Sequence, residues 1–396
     1  MKYSELLNNL LIFILDKFED VSDINFTPGK LPQVEISGEL VNVPLSTFRN
    51  MLLPYQTELI ALTMLNNDEK MINTLLSEGS IDLSYALPNR GRFRVNIFTQ
   101  RGSYSIVLRV IPTTMPSMEE LKLPVVLKKI CKEKNGLVLV TGPTGSGKST
   151  TMASLIDMIN NEYSYHIVTI EDPIEFLHRH KKSTINQREV GSDTSSFKNA
   201  LRGALRQAPK VILVGEMRDR ETIEIALEAG ETGHLVISTL HTIDAPKTID
   251  RIVGVFPKNE EPAIRRRLAS AIKWIVSQRL IPQKSGGRIA AVEILRTSER
   301  TRDYITQGEK GGKSLQDVMK DGYTTMGMQT FDMVLKNYVQ KGIIDKETAL
   351  IYATNPNDLM IELGHTEEKK SEKGKQGKTD TSLDLELDLK GSNKMR

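Results

Sequence analysis

The run Gly142-Pro143-Thr144-Gly145-Ser146-Gly147-Lys148-Ser149 constrains this chain more than any other segment. The apolar stretch Leu137-Val138-Leu139-Val140 precedes it, and a helix-compatible segment follows over 150–159. A strand that runs through a glycine-rich loop into a helix aims backbone N–H groups and a helix N-terminus at one point, which suits an anion. The spacing G-x-x-x-x-G-K-S is that of a nucleoside-triphosphate P-loop. On that reading Gly142, Pro143, Thr144, Gly145, Ser146, Gly147, Lys148, Ser149 and Thr150 form the phosphate cradle. Lys148 reaches the β and γ phosphates, and the Ser149 hydroxyl ligates Mg²⁺. A glycine-rich turn with an incidental lysine would need neither the strand before it nor the helix after it.

Around this loop, short apolar runs alternate with helical patterns. Leu137-Val140, Ile167-Ile170, Val211-Val214 and Leu235-Thr239 read as strands, with helical stretches over 196–206 and 220–229. Such alternation predicts a parallel sheet covered on both faces. From 260 to 353 the pattern turns helical, including an arginine-rich stretch over 263–281 and a pair of helices over 328–340 and 345–353.

Residues 1–112 read as a separate α+β domain. Leu7, Leu10, Leu11, Ile14 and Phe18 recur at helical spacing, and the run is too short and too interrupted by Asn8 and Asn9 for a membrane span or signal peptide. Two short strands flank the Gly38 turn over 34–41, and 54–77 predicts two helices. Phe93, Val95 and Ile97 then alternate with Arg92, Arg94 and Asn96, and a turn at Arg101-Gly102-Ser103 leads into a second strand over 104–111. This hairpin presents a row of arginines on one face, which on pattern alone reads as solvated charge. Residues 113–126, with Pro116 and Pro124, read as a linker to an ATPase-type domain over 127–364. The stretch 365–396 is rich in Lys, Glu, Gly and Ser, has no core pattern and reads as a disordered tail.

Composition narrows the function classes. Opposing charges nearly cancel, leaving a net charge of +3, so no bulk polycation points to nucleic acid. Cys131 is the only cysteine, which excludes an internal disulfide framework and a multi-cysteine zinc site and fits a reducing cytoplasm.

Phosphoryl transfer to water needs more than a cradle: a metal site, a group that deprotonates or orients water, and positive charge for the transition state. Val211-Ile212-Leu213-Val214-Gly215-Glu216 is an apolar strand followed by a carboxylate, the form of a Walker B element, with Glu216 able to hold Mg²⁺. Thr169-Ile170-Glu171-Asp172-Pro173 places Glu171 at another strand's carboxyl end, where an α/β sheet faces its ligand crevice. His234 and His241 bracket a buried strand; His241, at its C-terminal end, could sense the γ phosphate, whereas His234 lies at the opposite end.

In this order the elements resemble the PilT/PilU group of secretion-superfamily ATPases. The resemblance rests on GPTGSGKSTT at 142–151, TIEDPIEF at 169–176, QREVGSDTSSFKNALRGALRQAP at 187–209, VILVGEMRDRETIEIAL at 211–227 and ETGHLVISTLHT at 231–242. SDINF at 22–26, RFRVNIFTQRG at 92–102 and LRVIP at 108–112 extend it into the first domain. It implies an α/β fold in which a PAS-like N-terminal α+β domain joins a RecA-like P-loop ATPase domain with C-terminal helices. It further implies ATP and Mg²⁺ as cofactors, a hexameric ring with nucleotide between subunits, and work on type IV pilus retraction in twitching motility. The partners it implies are an inner-membrane platform protein at the cytoplasmic base of the pilus and a second PilT-type motor. By the same resemblance Glu171 is the catalytic base, Glu216 the Mg²⁺-site acid and His241 the phosphate sensor. Arg94, Arg101 and Arg109, with Arg92, match positions that approach nucleotide phosphates.

Two departures qualify it. Arg206-Gln207-Ala208-Pro209-Lys210 stands where the family's pattern reads Arg-Gln-Asp-Pro-Asp, removing two carboxylates. Thr301-Arg302-Asp303-Tyr304-Ile305 replaces an AIRNLI-like helix and, with GMQTFD at 327–332 and Asn355-Pro356-Asn357-Asp358-Leu359, lies closer to the PilU branch. A weakly hydrolysing accessory coupling subunit therefore stays open beside the motor. An assembly ATPase would be expected to carry a longer N-terminal region and a multi-cysteine zinc element.

Overall fold

The computed structural model describes residues 3–44, 51–88, 90–308 and 314–364. The stretch 365–396, which reads in sequence as a disordered tail, lies outside the described residues. Two compact units divide the chain: Met1–Met118, Lys128–Leu137 and Ser149–Thr239 form one, and Glu119–Leu127, Val138–Lys148 and Leu240–Arg396 the other.

In the first unit α1 (Tyr3–Lys17) leads into β1 (Val21–Phe26), β2 (Gln33–Ile36) and β3 (Glu39–Asn42). Helices α2 (Pro54–Met64) and α3 (Glu69–Glu78) follow, then β4 (Ser80–Leu87), β5 (Gly91–Gln100) and β6 (Ser103–Ile111). The six strands form an antiparallel sheet in the order β3-β2-β1-β6-β5-β4. Leu7, Leu11 and Ile14 of α1, at the spacing of one helical face, join Ile24, Phe26, Phe93, Val95, Ile97, Ile106 and Leu108 in a single core. Both expected hairpins are present. Their two-residue turns have positive φ at each central residue, Ser37 at 54° with Gly38 at 87° and Arg101 at 49° with Gly102 at 73°. That handedness matches the twist of the flanking strands.

The chain continues with β7 (Gly136–Thr141), α4 (Lys148–Glu162), β8 (His166–Glu171), β9 (Thr184–Glu189), α5 (Phe197–Ala204), β10 (Val211–Val214), α6 (Arg220–Glu231) and β11 (Leu235–Leu240). Next come α7 (Ala245–Val253), α8 (Glu261–Ala271), β12 (Ile272–Pro282), β13 (Arg288–Arg296) and α9 (Glu299–Gln307). The last elements are α10 (Leu315–Asp321), α11 (Tyr323–Met326), α12 (Phe331–Gln340) and α13 (Lys346–Tyr352). A seven-stranded sheet has the order β13-β12-β7-β11-β10-β8-β9, with β9, β8, β10 and β11 parallel. Its central strands β7, β10 and β11 are buried at every residue, which is why they read as unbroken apolar runs. Helix starts follow their capping residues: Ser196 accepts from Asn199 N, Asp219 from Thr222 N and Asp244 from Lys247 N.

The arginine-rich stretch over 263–281 corrects the helical expectation. Helix α8 ends at Ala271, and β12 pairs antiparallel with β13 from Trp274↔Arg296 to Pro282↔Arg288. β12 is buried on most of both faces, so its apolar residues do not alternate and a helix and a strand look alike in sequence. β9 escaped notice for the opposite reason: in Thr184-Ile185-Asn186-Gln187-Arg188-Glu189 only Ile185 is apolar.

Candidate nucleotide site

β7 delivers the chain to the loop at Gly142, and α4 begins at Lys148. Gly142, Gly145 and Gly147 have φ of 147°, 75° and 88°, a range that side-chain-bearing residues rarely adopt. Two of the three are also sterically required. A Cβ on Gly142 would lie 2.4 Å from the Gln278 carbonyl oxygen and 2.5 Å from Ser146 Oγ, and one on Gly147 would lie 2.7 Å from Gln278 Nε2. Lys148 is buried and its Nζ donates to the carbonyls of Gly142 and Pro143, each at 3.0 Å, which folds the cation across the loop. Ser146 Oγ is buried with no hydrogen-bond partner. A buried hydroxyl without a partner, a buried ammonium and a loop shaped by glycines at the N-terminus of a long helix form a donor set that fits a phosphate group.

Ser149 Oγ donates to Glu175 Oε1 at 2.8 Å. The P-loop hydroxyl assigned to Mg²⁺ thus already faces a carboxylate that sequence reasoning missed. Glu175 stood in the acidic box, but only the tertiary contact distinguishes it from Asp172. Among the described residues no group of three or more His, Cys, Asp or Glu could hold a metal.

Glu171 ends β8, and its Oε1 accepts hydrogen bonds from Thr169 Oγ1 at 2.6 Å and Gln187 Nε2 at 3.2 Å. Gln187 is itself fixed by Phe176 O and His178 N. Burial pushes the Glu171 carboxyl above its usual range, the Glu175 charge adds to this, and the two side-chain hydrogen bonds oppose it. Glu216 follows β10 and is ion-paired to Arg218 Nε at 2.6 Å. His241 follows β11 and is exposed. The loop beyond it is pinned by Thr242 Oγ1 to Thr248 Oγ1 at 2.7 Å and by Ala245 N donating to Glu293 Oε1 at 2.9 Å. His234, at the other end of β11, contributes its carbonyl to Gly136 N and bonds Ala229 O through Nδ1.

The hairpin arginines divide into two kinds. Arg109 Nε pairs with buried Asp23 at 3.0 Å, and Arg92 reaches buried Glu189 at 3.8 Å. Arg94 and Arg101 are exposed, and neither has an ion pair among the described residues. Arg94 sits directly opposite Arg109 in the β5–β6 register. Like charges so placed repel, and the Asp23 carboxylate paired with Arg109 offsets part of that repulsion. Glu189 also accepts from Ser84 Oγ at 2.6 Å and from Ile174 N at 3.2 Å, tying β4 to the segment that carries Glu175.

A P-loop with acidic residues at the carboxyl ends of two parallel strands is the arrangement of a nucleotide-binding α/β protein. The chain belongs to the Type II/IV secretion system protein family, which it matches over residues 49–329. It is 43% identical over 341 residues to the type IV pilus retraction ATPase PilT of Pseudomonas aeruginosa, covering 86% of this chain and 96% of that protein. It is 40% identical over 346 residues to the type IV pilus ATPase PilU of the same organism, covering 87% of this chain and 88% of that one. The crystal structure of the pilus retraction motor PilT with bound ADP superposes with a TM-score of 0.76 at 44% identity, covering 88% of this chain and 97% of that one.

Proposed function

We propose that this chain is an ATP-hydrolysing motor of type IV pilus retraction, working as a hexameric ring at the cytoplasmic base of the pilus. The observation that carries the reading is the 43% identity to PilT across 96% of that protein's length. The buried, glycine-shaped cradle around Lys148 supports it.

ATP with Mg²⁺ supplies the transferable phosphoryl group and the charge that neutralises its oxygens. The amides of 142–149 and Lys148 would hold the phosphates, Ser149 and Glu216 would hold the metal, and Glu175, which accepts from Ser149 Oγ, would orient that hydroxyl. Glu171 accepts a proton from the attacking water at a carboxylate oxygen, and His241 senses the γ phosphate. Arg94, Arg101 and Arg109 bring positive charge to the phosphates from a neighbouring subunit. The N-terminal domain, 1–112, and the RecA-like domain, 127–364, then change their relation with nucleotide state, and differential affinity becomes work on an inner-membrane platform protein.

A second reading, an accessory subunit that hydrolyses weakly and serves another PilT-type motor, is favoured by Ala208-Pro209-Lys210. Ala208 has a φ of 51°, a conformation that the aspartate of the family's pattern tolerates better. Deleting the gene should leave cells with longer or more numerous surface pili, or with retraction that fails under load. Complementation by Glu171→Gln should fail for a motor. Full rescue by that variant would favour the accessory reading, and loss of all pili on deletion would point to assembly.

A further inference from the structure

We propose that Gln278 is a positioning residue for the phosphate cradle, bracing the loop at both ends through its backbone and its side chain. This rests on reading 142–149 as the nucleotide site. Gln278 is buried in β12, a strand that sequence analysis did not connect with the loop. Its carbonyl oxygen lies 2.4 Å from where a Cβ on Gly142 would be, and its Nε2 lies 2.7 Å from where one on Gly147 would be. One residue therefore touches the first and the last glycine of the cradle.

The brace is itself held from three directions. Thr141, the residue just before the loop, donates from Oγ1 to Ser277 Oγ at 3.0 Å, a fully buried bond that locks β7 to β12 one position before Gln278. The Gln278 backbone is paired with Val292 in the long β12–β13 ladder. On the far side Arg279 stacks its guanidinium 3.8 Å from the Phe331 ring and donates to Tyr352 O and Thr354 Oγ1. A side chain mounted on so fixed a backbone sets the position of the Gly147 peptide by its length. Shortening it opens space behind that peptide, and the loop N–H groups lose their convergent direction. The same amides would hold ADP and ATP, so the loss falls on binding of both nucleotides rather than on the chemical step.

The test uses the full chain and four variants, Gln278→Ala, Gln278→Asn, Gln278→Met and Lys148→Ala. Fluorescent ADP is titrated, KM and kcat for ATP are measured, and melting is recorded without nucleotide. Gln278→Ala and Gln278→Asn should weaken ADP binding and raise KM for ATP together by about tenfold, with kcat changed by less than about threefold. Gln278→Met, which keeps the length without the amide, should recover most of the affinity. The inference is overturned if Gln278→Ala binds ADP like wild type, if Gln278→Met is as weak as Gln278→Ala, or if the affinity loss merely tracks a fall in nucleotide-free melting temperature. Lys148→Ala separates the two levels. If it binds ADP as well as wild type, the site reading itself falls; if it binds weakly while Gln278→Ala is unaffected, only the brace falls.

Discussion

At the scale of single residues, Glu171 carries the sharpest expectation. A base must be ionised to accept a proton, and burial has raised the pH at which this carboxyl ionises. The acid limb of kcat/KM should therefore lie above the ordinary carboxylate range, with activity falling as pH drops through it. Glu171→Gln preserves shape and the hydrogen bond from Thr169 but cannot accept the proton. It should lower kcat by about 10²-fold or more while leaving ADP affinity near wild type. Nucleotide titration with a single-turnover assay checks both halves, and lost binding would make Glu171 a structural residue instead. Glu175 and Gln187 show what a motif conceals. Both stand in quoted segments, yet only the folded contacts to Ser149 and Glu171 give them roles.

At the scale of elements, the β12–β13 hairpin matters beyond its brace. Glu293 on β13 is fully buried, accepts Ala245 N with one oxygen and leaves Oε2 without a hydrogen bond. Burial, with the nearby Asp244 charge, raises its carboxyl to about 7 against the opposing Ala245 N–H and Arg279. The folded state thus keeps a proton that the unfolded chain has already released. Stability contributed by this group is present at low pH and is lost as pH rises towards about 7, by about 1.4 kcal/mol per pH unit and about 3 kcal/mol in all. Glu293→Gln should flatten that slope between pH 5 and pH 7.5, as read from urea midpoints, with roughly one proton's worth of change. An unchanged slope would mean that Glu293 is ionised in the folded protein.

At the scale of the whole molecule, the proposed function has the arginine hairpin of one subunit act on phosphates held by the P-loop of another. Arg94 and Arg101 have no acidic partner to satisfy them among the described residues, whereas Arg109 and Arg92 do. Subunits carrying Arg94→Ala or Arg101→Ala together with Lys148→Ala, doped into wild-type rings, should depress ATPase activity below the linear dilution line. Arginine supplied across a subunit boundary accelerates phosphoryl transfer by about 10³-fold or more. A linear loss would show that each subunit hydrolyses alone. Among the described residues no helix is long and apolar enough to cross a membrane.

The P-loop, the α/β alternation and the β5–β6 hairpin are legible in the sequence, because each depends on neighbours in the chain. A glycine turn, a buried apolar run or a period of two is a local signal. The helix that proved to be β12, the polar strand β9, the Ser149–Glu175 contact and the Gln278 brace were not legible. In β12 burial on both faces erases the periodicity that separates strand from helix, and in β9 the polar Gln187 and Glu189 face Glu171, Ser84 and Ile174 while Thr184 and Asn186 stay exposed, so no apolar alternation marks the strand. Sequence alone therefore determined which chemistry this chain can perform. Tertiary structure decided which polar side chains hold that chemistry in place, because residues as distant along the chain as Gly147 and Gln278 come into contact only when the strands between them pack.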